Sequence, residues 1–151
     1  LLISKLIEIN KLDCKFYSIE NNSQWTEIIR KILVNEKIEK NVHFFILPLN
    51  SYNNEWYDVS FIEYIKEHNL RIDCLIIDGP PAWEKSKEYV RKHALFELYK
   101  YLDTNNFIFL HDSNRPGEMK IIQEWEKRFK LYFNLNKRGA FSLNGSFFNI
   151  E

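Results

Sequence analysis

Glycine is scarce in this 151-residue sequence: the four glycines stand at 79, 117, 139 and 145. Proline is equally rare, at four, so the chain is neither a linker nor a disordered tail. No glycine-rich loop opens a helix, so the loop type that cradles phosphate on backbone N–H groups is missing. There are two cysteines, Cys14 and Cys74, and no metal-type Cys/His cluster. Both fall in apolar runs and are expected to be buried, reduced thiols. Net charge is absent too: Lys plus Arg and Asp plus Glu are 21 each. A nucleic-acid binder usually carries a basic excess, and so does a protein that lies on an anionic membrane. No apolar run reaches the length of a membrane span. The opening "LLISKLIEINK" has neither the charged start nor the small-residue cleavage site of a secretory leader. A cytoplasmic setting without membrane or nucleic-acid partners is therefore the expectation.

What the chain does have is a core's worth of apolar residues, 45% of the total, and a length that suits one domain. Residues 1–10 carry apolar positions at helical spacing. "CKFYSI" reads as a strand ending at Glu20, with Ser23 as the N-cap of a helix running to about residue 39. Trp25, Ile28, Ile29, Ile32 and Leu33 form its apolar stripe. "VHFFILPL" (42–49) is a second strand, "NSYNNEW" (50–56) a polar loop and "VSFIEYIKEH" (59–68) a short helix. "IDCLIID" (72–78) is a strand apolar on both faces, as in a buried parallel sheet. The spacing predicts a helix over 87–102 and a strand over "NFIFLH" (106–111). A further helix should start at Pro116, where a missing N–H does no harm. "KLYFNLN" and "AFSLNGSFFNI" read as strands, with a tight turn at Asn144-Gly145 inside the second. This alternation predicts an α/β fold. The sheet should be mostly parallel, with helices on both faces and an antiparallel hairpin at its C-terminal edge.

In an open α/β sheet, ligands bind outside the carboxyl ends of the strands. Three predicted strands end on acids: Glu20, Asp78 and the pair His111-Asp112. A carboxylate at Glu20 could accept two hydroxyl hydrogen bonds from a ribose, or cap the following helix; from spacing alone the two readings stand even. If the strands of Asp78 and Asp112 are neighbours, their carboxylates converge. Such a pair can hold Mg²⁺ or position a general base, against the alternative of acids that cap loops. His111 titrates near neutrality and could act as a base, or simply bond a carbonyl. Arg91 and Arg115 could bind an anionic substrate or, more commonly for arginine, form structural salt bridges. Trp56, Tyr57 and Trp83, near predicted loops, suit stacking on a sugar or local packing.

The stretches "FYSIE-NNSQW", "VHFFILPL", "LIIDGPPAW…YVRKHALFEL" and "FIFLHDSNRPGEMKIIQEW" together resemble consecutive motifs of the class I S-adenosylmethionine-dependent methyltransferases. The resemblance covers nearly the whole chain. It is closest to the small O-methyltransferase-like branch acting on sugars, polysaccharides and other hydroxylated molecules. Glucuronoxylan methyltransferase-like proteins share the Asp-Gly-Pro strand end, the downstream Arg, and the His-Asp strand end followed by Arg and Glu. The resemblance implies a Rossmann-like methyltransferase fold and transfer of a methyl from S-adenosylmethionine to a substrate oxygen. It implies that Glu20 binds the cofactor ribose and that Pro48 and Leu49 line the adenine pocket. Trp25 would lie near the adenine, with core packing its stronger reading. Asp78 would sit beside the methionine end, with His111 and Asp112 facing the acceptor. Acids after these two strands hold Mg²⁺ in metal-dependent members, and Asp78 and Asp112 match those positions.

The sequence departs from that family at its start. Residues 1–10 match the helix after the family's first strand and glycine-rich loop, so residues 1–151 are expected to form a single methyltransferase-like domain truncated at its N-terminus. The absent strand would lie between the strands ending at Glu20 and Asp78, so a Cys14–Cys74 disulfide is not expected. Two other functions stay in view. One is a non-catalytic domain of the same fold that has lost cofactor binding and serves as an interaction module. The other is a metal-dependent α/β enzyme acting on phosphorylated substrates.

Overall fold

Helix α1 (Leu2–Asn10) opens the chain in a computed structural model that describes residues 1–50 and 56–145. The chain divides into two compact units, Leu1–Asp58 and Val59–Glu151, each with its own sheet.

In the first unit α1 is followed by β1 (Tyr17–Glu20), α2 (Ser23–Asn35), a 3₁₀ turn (Glu39–Asn41) and β2 (His43–Ile46). The two strands pair in parallel, with Tyr17 opposite His43 and Glu20 opposite Ile46. Leu33, Ile38 and Val42 form the core, with Phe16, Ile29 and Phe44 packed against it. The cap of α2 is Asn22 rather than Ser23: its side chain accepts from the N–H of Trp25 at 2.9 Å. The helix ends at Asn35, short of the expected residue 39. Lys37 turns left-handed (φ 57°), and the Ile38 N–H folds back onto the carbonyl of Leu33. That turn drops Ile38 into the core, so burial of one apolar side chain sets the helix end. The α2 stripe is only half used. Leu33 is buried and Ile29 partly so, whereas Trp25 (52% exposed), Ile28 and Ile32 face outward. Trp25 is thus not a core residue. The predicted loop 50–56 falls largely on residues 51–55, outside the described residues; Leu49 and Tyr57, at its ends, form an isolated antiparallel bridge.

Scarce glycine leaves a mark on both units. Left-handed positions at or just past helix ends are filled by Lys11, Lys37, Asn69 and Lys130, with φ between 47° and 57°. Glycine is the usual occupant of such positions, and a lysine there costs about 1–2 kcal/mol of backbone strain.

The second unit runs α3 (Ser60–Glu67), β3 (Ile72–Ile77), α4 (His93–Leu98), β4 (Leu102–His111), α5 (Pro116–Phe129), β5 (Asn134–Leu135) and β6 (Gly139–Asn144). The sheet order is β3-β4-β6-β5. β3 and β4 are parallel; β6 pairs antiparallel with both β4 and β5. Among the described residues β1–β2 and β3–β4 pair in parallel and the antiparallel pairings expected near the C-terminus are those of β6, so the α/β arrangement is mixed rather than simply parallel. β6 enters the sheet beside β4, opposite Phe107–Leu110, and so brings the antiparallel edge next to the site. Gly139 lies opposite His111, where a Cβ would run into the Phe109 ring. The predicted strand over 130–136 contracts to two residues, and the end of the other, beyond Gly145, lies outside the described residues.

Three further expectations change. β3 is far less buried than expected: Ile77 is buried and Ile72 and Leu75 are half-buried, while Asp73, Cys74 and Ile76 are exposed on a strand with one neighbour. Cys14 and Cys74 are both exposed rather than buried. The single helix expected over 87–102 is instead α4 flanked by 3₁₀ turns at Lys85–Lys87, Val90–Lys92 and Tyr99–Tyr101, and β4 starts at Leu102. The tighter winding buries Val90 and Arg91 side by side, together with Ala94, Leu95 and Leu98. Tertiary demand at Arg91 overrides helix propensity here. No helix among the described residues is long and apolar enough to cross a membrane.

Candidate active site

Two parallel strands end together in the second unit. The last ladder pair of β3 and β4 is Ile77 opposite Leu110, so Asp78 and His111 emerge side by side. Asp112 follows, its N–H donating to the Arg138 carbonyl at 2.7 Å and its backbone turned left-handed (φ 59°). That turn swings the Asp112 carboxylate back toward the strand ends. His111 Nδ1 lies 3.0 Å from Oδ1 of Asp78 and 3.3 Å from Oδ1 of Asp112. Neither contact is aligned as a hydrogen bond, and the buried Nδ1 atom has no hydrogen-bond partner. One donor atom from each of the three residues falls within 4.8 Å of the others. The pairing of β3 with β4 thus brings together Asp78, His111 and Asp112, as their strand-end positions anticipate.

Arg91 underlies this cluster. Its guanidinium is 3% exposed and faces protein groups throughout. Nε donates to the Pro80 carbonyl (3.2 Å), NH2 to the Asp78 carbonyl (2.5 Å) and NH1 to the His111 carbonyl (3.3 Å). NH1 also reaches Glu118 Oε1 at 3.3 Å and Asp112 Oδ2 at 3.5 Å. The sequence explains the need. Gly79-Pro80-Pro81 contains two residues without an N–H, so the carbonyls around the turn find few local donors. Arg91 supplies them, tying both strand ends to one planar group. These contacts match the structural salt bridge, one of the two roles read for Arg91 from the sequence. Arg115 is 39% exposed, with NH2 2.8 Å from Asp112 Oδ2 and NH1 3.8 Å from Glu118 Oε1; one flank stays open to solvent.

Glu118, in the first turn of α5, is 1% exposed; it is the Glu that follows His-Asp and Arg in the motif behind the family resemblance, but no role was read for it from the sequence. Burial, aided by the Asp112 charge, pushes its carboxyl above the usual range; its own backbone N–H, Arg91 and Arg115 pull the other way. A signal was there to read. Residues 118, 121, 122 and 125 share one helix face, and Ile121, Ile122 and Trp125 are all buried. A glutamate in line with an apolar stripe needs a cationic partner.

The cofactor residues expected in the first unit are Glu20, Pro48 and Leu49. Glu20 Oε1 accepts from the N–H groups of Asn21 (2.8 Å) and Asn22 (3.1 Å), so it ties down the turn before α2, whose cap is Asn22. Pro48 is exposed, with its carbonyl accepting from the Asp58 N–H; Leu49 is half-buried. A cavity of about 210 Å³ in this unit is lined by Glu20 and Trp25 together with Ser4, Phe16 and Phe44. Of the three loop aromatics, Trp56 and Tyr57 are buried and Trp83 is 74% exposed.

No protein-family model matches this sequence, and no curated protein matches it. Solved structures do. A TDP-rhamnose 3'-O-methyltransferase of calicheamicin biosynthesis superposes with TM-score 0.66 at 10% identity, over 95% of this chain and 65% of that one. A putative caffeoyl-CoA O-methyltransferase from Staphylococcus aureus gives 0.61 at 14%, over 95% and 81%. A putative methyltransferase from Streptococcus mutans in complex with SAH gives 0.59 at 15%, over 93% and 82%. The chain spans 58% of another similar structure, a methyltransferase from Geobacter sulfurreducens. The chain has a methyltransferase fold. At these identities the likeness establishes the fold alone.

Proposed function

We propose that this chain is an S-adenosylmethionine-dependent methyltransferase domain, residues 1–151, that methylates an oxygen of a sugar, polysaccharide or other small hydroxylated molecule in the cytoplasm. The observation that carries the reading is the convergence of Asp78, His111 and Asp112 at the carboxyl ends of two paired parallel strands. The methyltransferase fold supports it, as does the SAH bound to one structure of that fold. The S–CH₃ bond of the sulfonium breaks as the O–CH₃ bond forms, giving a methyl ether and S-adenosylhomocysteine. The acceptor proton passes to His111 or Asp112. Most of the rate comes from holding the acceptor oxygen in line with the methyl. A positioned base adds roughly 10²–10⁴-fold. In this reading Glu20, Pro48 and Leu49 hold the adenosine end and Asp78 the methionine end. Arg115, with its open flank, meets the substrate, and the exposed Trp83 offers a face for a sugar ring to stack on.

Mg²⁺ fits the chemistry of Asp78 and Asp112, two hard carboxylates close together. When bound there it would acidify the acceptor hydroxyl. His111 Nδ1, without a hydrogen-bond partner, faces the same space and keeps its role as base.

The test is calorimetric titration with S-adenosylhomocysteine, followed by transfer of labelled methyl to a panel of nucleotide sugars and glycans. Binding plus transfer that Asp78→Ala abolishes supports the proposal. Turnover unaffected by Asp78→Ala sinks it. A second reading, a non-catalytic interaction domain, draws support from the exposed apolar side chains of α1 (Leu2, Leu6, Ile9) and α2 (Trp25, Ile28). Absence of any S-adenosylhomocysteine binding would favour it.

A further inference from the structure

We propose that Glu118 is a positioning residue: a buried carboxylate that fixes Arg91 and Arg115 so that they clamp one oxygen of Asp112 and leave the other to the site. The inference rests on the methyl-transfer reading for its functional half and on geometry for its structural half.

The geometry has three tiers. Glu118 Oε1 lies 3.3 Å from Arg91 NH1 and 3.8 Å from Arg115 NH1. Those two arginines in turn reach Asp112 Oδ2, at 3.5 Å from Arg91 NH1 and 2.8 Å from Arg115 NH2. Oδ2 is thereby engaged, and Oδ1 is the oxygen that approaches His111 Nδ1. A carboxylate free to rotate exchanges its two oxygens; one gripped from behind by two guanidinium groups does not. The Arg91 carbonyl contacts to Asp78 and His111 fix the other two members of the cluster against the same frame.

The charges require such an anchor. Without Glu118, the two guanidinium groups would keep as anionic partners only the partly buried Asp112 and the largely exposed Asp78, 4.0 Å from Arg91, while Arg91 itself is 3% exposed. Their mutual repulsion would push the more mobile Arg115 outward, toward its open flank, and release Asp112. Glu118 reaches this point because α5 starts hard against the loop before Arg91: a Cβ on Gly117 would collide with the backbone of Glu88. The helix start, the arginine turn and the acid cluster are therefore packed directly against one another. A misplacement of about 1 Å at a reacting group can cost roughly 100-fold in rate.

The test uses the whole chain with Glu118→Gln and Glu118→Asp, and has two readouts at pH 8. The first is the ¹H–¹⁵N spectrum. In the parent, Arg91 Nε–H should give a resonance protected from water exchange. In Glu118→Gln that resonance should broaden or vanish and the amides of Asp112, Ser113 and Arg115 should shift, while those of β6 residues 141–143 stay in place. The second readout is kinetic: kcat should fall about 100-fold with the KM for S-adenosylmethionine changed less than about threefold, and Glu118→Asp should recover part of kcat. A folded Glu118→Gln with the Arg91 resonance and these amides unchanged overturns the proposal, whatever the activity. If the parent transfers no methyl group, the function proposed above fails, and the spectra still decide the positioning role. Should Glu118→Gln not fold, Glu118→Asp keeps the charge and is read on the same resonances: shifted amides support the role, an unchanged set overturns it.

Discussion

Glu20 and Asp78 close comparable apolar strands in the sequence, yet the structure supports them very differently. Glu20 ends a strand of a two-stranded sheet and is held by the N–H groups of its two following residues. Asp78 leaves a four-stranded sheet whose end is fixed by a buried arginine recruited from a distant turn. The second unit fully buries Leu95, Ile108, Leu110 and Trp125; the first leaves Leu2, Leu6, Ile9, Trp25 and Ile28 exposed. Local contacts suffice to hold a single carboxylate. A cluster that must hold three donor atoms within 4.8 Å needs non-local support.

The strongest way to break this contrast is to remove the non-local support. Arg91→Ala leaves Glu118 buried without its main partner and three carbonyls short of a donor. It should destabilise the second unit by about 3–5 kcal/mol, read from chemical denaturation. The corresponding blow to the first unit is Leu33→Ala, at the centre of its small core. That should cost about 2–5 kcal/mol, with the lower end expected because an open site can collapse. Equal losses for the two variants would mean that the units do not differ as described. Glu20→Gln should weaken S-adenosylhomocysteine binding about tenfold, a loss of roughly 1.4 kcal/mol, and leave the melting temperature unchanged. Asn22→Ala, which removes only the α2 cap, should cost about 1 kcal/mol.

The smallest effect is one of pH. Because the folded-state pKa of Glu118 is raised, the folded chain holds this proton more tightly than the unfolded chain does. Stability from this group is therefore present at low pH and declines as pH rises from the ordinary carboxylate value through the raised one. Glu118→Gln should remove that slope. A denaturation midpoint with the same pH dependence in both proteins would count against the assignment.

Much of the site was legible because the strands that carry it are. The apolar runs before Asp78 and His111 can hardly be anything but strands, and acids at the ends of neighbouring strands must meet. The break in the 87–102 helix was not legible, since Val90, Ala94 and Leu98 keep helical spacing through it. Only the carbonyls of Asp78, Pro80 and His111, far away in sequence, explain why Arg91 turns inward. The exposure of Cys74 was hidden for a similar reason: an apolar strand reads alike whether it has one neighbour or two. Glu118 could have been found from its place on the Ile121–Trp125 face.

One backbone angle narrows what this site could become. Asp112 holds φ at 59°, a region that glycine, asparagine and aspartate enter readily and that costs most other side chains about 1–2 kcal/mol. Variation at this position is thus filtered before any substrate exerts selection. A carboxylate gives way at least cost to its amide or to glycine, and at most cost to a β-branched residue. New activities on this scaffold would have to arise from residues around Asp112, such as Trp83 or Arg115, with the acid itself kept or simply lost.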